Sequence, residues 1–446
     1  MKRDVFKIAL FLLFWIFTTG VFVTTFTPFN GRYPLKGAVI LPEPPKFQVS
    51  TWFTGDFQAG FEKYFNDNIG FRPWMVRLRN QIAWTIFNKA YAAGVIRGNE
   101  NYLFELNYIK AFNGDDFIGS DSITYKSTQI LRLNEKLAEQ GKKLIVAMAP
   151  GKGSFYPEHF PENLAAIPTE STNYKEYIKE FNRLNVPFLD FNQWFLDMKE
   201  SVDCSLYPKY GIHWSYYGML LATDSLIHRI ENLIMGDLPD LLIGENQLSK
   251  KLDRMDYDIA DGMNLIFQLP TTPMCYPSYE WEDETGKQKP KVLVIGDSFY
   301  WSMFNIGLWT KSFSPGGFWF YNRQVYPESF TENLFTEDID RRKVMEETDI
   351  FILLVTEANL PRFPWGFVTT ALNDLDPSIM NRVLINPMNS PDIEEELKIH
   401  IQNIRADKNW MKDIERKARD KNITVDSMLY LDALWMMEYK KSQKVN

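Results

Sequence analysis

The chain has 446 residues, 45% hydrophobic and 24% charged, with a formal net charge of −8 and a pI near 5.3. That composition excludes a disordered chain and leaves room for two or three domains. The acidic balance excludes a nucleic-acid binder, whose phosphate-facing surface needs an excess of Lys and Arg.

Lys2, Arg3 and Lys7 lead into residues 8–26, IALFLLFWIFTTGVFVTTF, which carry no charge. A run of this length crosses a bilayer core as a helix. The following TPFNGRYP lacks an Ala-x-Ala cleavage site, so residues 1–30 read as an uncleaved signal-anchor, with a cleaved signal as the alternative. Basic residues stay cytoplasmic, which puts the rest of the chain outside the inner membrane.

Residues 31–93 begin with a Pro-rich connector. Helical spacing follows in Phe57, Phe61, Tyr64 and Phe65, then in Met75, Leu78, Ile82 and Ile86. GVIRGNENYLFEL (94–106) reads as a β-hairpin around Gly98-Asn99, and 122–140 as an amphipathic helix stopped by Gly141.

Four short apolar runs then end in polar loops: KKLIVAMAPGKGS (142–154), VPFLDFNQW (186–194), KVLVIGDSF (291–299) and DIFILLVTEANL (349–360). Continuous β-branched runs between helical stretches predict an α/β domain with a parallel sheet buried on both faces. In such sheets ligands bind beyond the carboxyl ends of the strands, where Lys152, Asp190, Ser298 and Glu357 fall. Residues 236–290 are irregular and read as an insertion near the site; from 386 the chain becomes a charged helical tail. Cys204 and Cys275 are too few for a structural metal site and stand either as a disulfide or as two thiols. No metal or other cofactor is expected.

VLVIGDSFYWSM (292–303) reads as strand, tight turn and helix, with Gly296 turning the backbone and Asp297 bracing the loop. Ser298 then lies near the first amides of the helix, donors suited to an oxyanion. A plain helix cap is the alternative role for this serine. A nucleophilic serine needs a base. Among the four histidines, His159 is flanked by prolines, and His228 and His400 lie within helices. His213 directly precedes a helix capped by Ser215, whose positive end favours a neutral imidazole. Trp214 is placed to pack on the ring or stack on a sugar; Lys152, Glu357 and Asn359 are further candidates for substrate contact.

GDSF (296–299) and HWS with Gly218 (213–218) resemble the SGNH-hydrolase-like domain of the periplasmic alginate O-acetyltransferase family, the AlgX/AlgJ type. The order of the anchor, DNIGFR (67–72), YLF (102–104), PGKGSFYPE (150–158), HW and GDSF is similar too. The resemblance implies a three-layer αβα SGNH-like domain over 94–385, with Ser298 as nucleophile and His213 as base. It also implies a polysaccharide acceptor and a multi-pass membrane acyltransferase that supplies the acyl group. A carbohydrate esterase on the same residues and a non-catalytic glycan-binding or assembly protein are the rival readings.

The family pattern Asp-x-His-Trp is broken, because Gly211 stands where the acid belongs. Either an acid comes from elsewhere, with Asp190 expected ahead of the acids in 253–261, or a backbone carbonyl holds the imidazole, or catalysis is lost.

Overall fold

The computed structural model describes residues 2–27, 33–37, 42–165, 167, 169, 171–375, 400–405, 407–420 and a few positions beyond. Contacts divide the chain into two compact units, Met1–Gly366 and Phe367–Asn446. The boundary expected at 385/386 lies outside the described residues.

The first unit opens with α1 (Lys2–Thr25), an exposed apolar helix long enough to cross a membrane. Helices α2 (Asp56–Asn68) and α3 (Arg72–Phe87) are joined by a short turn through Gly70. Strands β1 (Val95–Arg97) and β2 (Leu103–Glu105) pair antiparallel, as the hairpin spacing predicts. The layers then alternate through α4 (Ser120–Ala138), β3 (Lys143–Ala149), α5 (Asn173–Leu184), β4 (Phe188–Asp190), α6 (Phe191–Met198) and α7 (Tyr216–Ile234). A short helix, α8 (Asp258–Gly262), precedes β5 (Lys291–Gly296), α9 (Tyr300–Asn305), β6 (Ser314–Phe320), β7 (Gln324–Tyr326) and β8 (Ile350–Thr356).

The central sheet has the order β7-β6-β5-β8-β3-β4. All neighbours run parallel except the edge strand β7, which pairs antiparallel with β6. The four apolar runs are four of these strands, and β8 is buried along its whole length between β3 and β5. Continuous Val, Ile and Leu suit a strand covered on both faces, where alternation has no use. The architecture is a mixed α/β fold with a mainly parallel sheet. The 236–290 region adds two small two-stranded sheets, and a disulfide joins Cys204 to Cys275.

Two local departures from the sequence pattern matter below. Strand β6 contains Pro315, Gly316 and Gly317, which read as breakers. The register shifts there, and a Cβ on Gly316 would stand 2.0 Å from the Val292 carbonyl oxygen, so glycine permits the close approach of β5. The stripe Met75, Leu78, Ile82 and Ile86 on α3 is exposed; Asn80, Ala83 and Trp84, on the other side of the helix, are the buried ones.

The second unit contains α10 (Phe367–Leu375) and α11 (Lys408–Asp420). Ile414 and Ala418 of α11 pack with Ile404, Met428, Leu429 and Ala433. Trp410 donates its indole N–H to Asp432, which also pairs with Lys417.

Candidate active site

Ser298 lies in the turn between β5 and α9, at the carboxyl edge of the sheet. Asp297 holds that turn down. Its Oδ1 accepts from the Phe299 amide at 3.1 Å, and its Oδ2 from the Thr356 amide at 2.7 Å and Asn359 Nδ2 at 2.9 Å. Burial pushes the Asp297 carboxyl up and these donors pull it back. The bonds tie the turn to the end of β8 and leave Ser298 partly exposed. Gly296 serves a close approach rather than a left-handed turn: its Cβ would stand 3.2 Å from the Leu354 carbonyl oxygen.

The oxyanion donors differ from those expected. The Tyr300 and Trp301 amides are bonded to the Asp297 and Ser298 carbonyls, and the Phe299 amide to Asp297 Oδ1. Ser298 keeps a backbone N–H with no partner among the described residues. Asn359 Nδ2 carries a second N–H and lies 3.5 Å from the Tyr321 hydroxyl. Tyr321 was not singled out in the sequence. It follows β6, the strand hidden by its Pro-Gly-Gly, and has a left-handed backbone with φ of 52°. Burial and the nearby Asp297 raise its phenol pKa, so the hydroxyl stays a donor at neutral pH.

His213 Nε2 is 2.9 Å from Ser298 Oγ, and its Nδ1 is 2.7 Å from Asp258 Oδ2. Asp258 opens α8 and its Oδ1 accepts from the Ile212 amide at 2.9 Å, which fixes carboxylate and loop together. Burial disfavours charge on His213, but the hydrogen bond and charge of Asp258 outweigh it, and the imidazole pKa is raised. The direction of the shift is thus set by a carboxylate in contact, which acts more strongly than the helix end at α7. Ser215 does cap α7, accepting from the Gly218 amide.

The preferred acid, Asp190, is elsewhere. It caps α6 through the Gln193 amide and takes the Tyr174 hydroxyl on both oxygens, leaving none for His213. Three proposed substrate contacts are also internal. Lys152 is fully buried and donates to the Gly211 carbonyl at 2.5 Å and the Lys209 carbonyl at 3.0 Å, clamping the His213 loop from behind. Burial lowers its pKa to about 7, against the pull of Asp258 and Glu105. Trp214 is fully buried with its indole N–H on Ser302 Oγ at 2.8 Å. Glu357 is buried under Ser154, whose hydroxyl donates to its carboxylate, and burial raises its pKa to about 7. Asn359 alone of these four reaches the serine turn. Of the other histidines, His159 stacks on Tyr102 and His228 lies exposed on α7.

Residues 95–250 match the family model for the SGNH hydrolase-like domain of acetyltransferase AlgX. The matched segment includes His213 and ends before Asp258 and Ser298. Among solved structures, the O-acetyltransferase domain of Pseudomonas putida AlgJ is 15% identical, with 63% of this chain and 99% of that one covered and a TM-score of 0.39. Pseudomonas aeruginosa AlgX is 16% identical, covering 63% of this chain and 67% of that one, with a TM-score of 0.41. Bacillus cereus PatB1 is 12% identical over 60% of this chain and 96% of that one, with a TM-score of 0.36. Likeness at that level is distant, and the reading of the site rests on its own geometry. No curated protein matches the chain.

Proposed function

We propose that this AlgX-like domain is an extracytoplasmic O-acetyltransferase acting on an exported or cell-surface polysaccharide, held at the inner membrane by α1. The observation that carries the reading is the chain of contacts Ser298–His213–Asp258, at 2.9 and 2.7 Å. His213 Nε2 takes the Ser298 proton as Oγ attacks the acetyl carbonyl of the donor. The Ser298 N–H, with Asn359 and Tyr321 beside it, faces the oxygen that gains charge. Collapse expels the donor's leaving group, which takes the proton from His213, and leaves an acetyl ester on Ser298. A sugar hydroxyl then loses its proton to His213 and attacks that ester; Ser298 leaves with the proton. Asp258 holds the Nδ1–H tautomer and stabilises the imidazolium formed in both halves. The family resemblance supports a multi-pass membrane acyltransferase as the source of the acetyl group.

Mass spectrometry of the full chain after incubation with an activated acetyl ester tests this. Acetyl on the peptide containing Ser298, absent from Ser298→Ala, is the expected result. Hydrolysis without any acetyl-Ser298, or equal turnover by the alanine variant, would sink the reading.

A further inference from the structure

Helix α2 and the start of α3 carry aromatic side chains that stay largely exposed, with Phe57 meeting Phe47 and Trp52 from the segment before α2. Phe57, Phe61 and Phe65 stack along α2 at four-residue spacing, with centroids 6.1 and 6.3 Å apart, yet α2 contains no buried residue. Phe61 is 50% exposed, and Trp74 and Met75 at the start of α3 are 39% and 47% exposed. Contiguous apolar surface of this kind marks a contact with something absent from the fold.

The turn between α2 and α3 says what that is, because it is packed on α1. The Gly70 amide donates to Thr25 Oγ1 at 2.9 Å. A Cβ on Gly70 would stand 2.1 Å from Thr24 Oγ1 and 2.3 Å from the Val21 carbonyl oxygen, so only glycine allows the approach. The Phe71 ring reaches further along α1, 3.3 Å from where a Cβ on Gly20 would be. Phe71 lines a cleft with Leu13, Phe14 and Phe17, and Phe65 and Ile69 line another with Val21 and Phe22. If residues 8–26 fill the hydrocarbon core, Gly20 lies roughly 9 Å below its outer edge at the helical rise of about 1.5 Å per residue. Whatever touches Gly20 shares that depth.

We infer that the turn between α2 and α3 with its flanks, from Phe65 to Met75, is immersed in the outer leaflet of the bilayer that α1 crosses. Ile69 and Phe71 lie beside α1, and Phe65 and Trp74 sit at the headgroup boundary where aromatic side chains are favoured. This second insertion turns α1 from a tether into one leg of a two-point mount and fixes the height of the Ser298 site above the lipid. The inference rests on the reading of α1 as a membrane anchor.

The test uses the full chain in lipid nanodiscs. Both cysteines are in the disulfide, so one added cysteine takes a polarity-sensitive fluorophore. Phe65→Cys and Trp74→Cys report the flanks of the turn, Phe11→Cys reports α1, and Glu332→Cys reports water. Thermal melts confirm that each labelled chain is folded. Lipids brominated in the acyl chain should quench the flank probes several-fold more than the probe at 332. Flank probes as unquenched as the one at 332 would overturn the inference and assign the face to a protein partner. The α1 probe then tells whether the anchor reading has fallen with it.

Discussion

A Cβ on Gly211 would stand 2.2 Å from the carbonyl oxygen of Met255, so the loop that carries His213 has no room for a side chain where the family pattern sets its acid. The residues that fill this space, 255–258, are the ones that bring Asp258 to His213. Absence of the acid at 211 and presence of one at 258 are two sides of one packing arrangement. Restoring the pattern with Gly211→Asp should therefore destabilise the chain by about 1–3 kcal/mol through overpacking, and lower the rate. Thermal melts and turnover measured together check this; a rate gain at unchanged melting temperature would contradict it.

Asp258→Asn should reduce turnover of an activated acetyl ester by about 10⁴-fold at pH 7, since the amide removes both the tautomer constraint and the imidazolium partner. Asp190→Asn should leave the rate near wild type. Asn can still cap α6, so the cost is confined to the weakened Tyr174 bond, on the order of 1 kcal/mol. Steady-state kinetics on both variants would expose a reversed ranking.

The raised His213 pKa sets the acid limb of the rate profile. The base works only when neutral, so activity should rise with pH through a midpoint above the ordinary histidine value of about 6.5. In Asp258→Asn, burial acts without its opponent and the midpoint should move to lower pH. For stability the sign runs the other way. A folded pKa raised above the unfolded one contributes stability that is fully present below the unfolded value and lost as pH rises through the folded value. A pH–rate profile of the two proteins with coincident acid limbs would refute the pairing.

Much of this was written in the sequence. The four continuous apolar runs became four parallel strands, because burial on both faces leaves a local signature. Ser298 and His213 stood out as a turn serine and a helix-preceding histidine, each a short-range feature. Asp258 is 45 residues from its partner inside an irregular insertion, where nothing in the local pattern separates it from Asp253, Asp256 or Asp261. Asp190 closes a strand, which points it toward the site, but that position also invites a helix cap, and the cap is the role it has. Tyr321 is hidden with β6, whose one proline and two glycines fit where a neighbouring strand lies close against them. Tertiary proximity is the part that local pattern does not carry.

Tyr321→Phe removes the hydroxyl beside Asn359 at the serine turn without emptying space. Its loss should lower turnover by about 10²-fold, the scale of one oxyanion donor, with the melting temperature nearly unchanged. An unchanged rate would leave the Ser298 amide and Asn359 as the whole of the oxyanion site.

Cys204 precedes the His213 loop, and Cys275 closes the segment that carries Asp258. Their bond spans 71 residues, and a cross-link of that length stabilises a fold by about 4 kcal/mol in the chain-entropy account. Its position adds a second effect. Next to it, Asp256 is buried and takes the Tyr276 hydroxyl at 2.6 Å, so the bridge, Tyr276 and Asp256 form one support under α8. Replacing both cysteines by serine should lower the melting temperature by several degrees or more. It should also reduce turnover among the molecules still folded, since Asp258 would be held to His213 less tightly. Measuring the rate well below the melting transition separates the two effects. A variant that melts earlier yet turns over at the wild-type rate would show that the bridge stabilises the fold without positioning the acid.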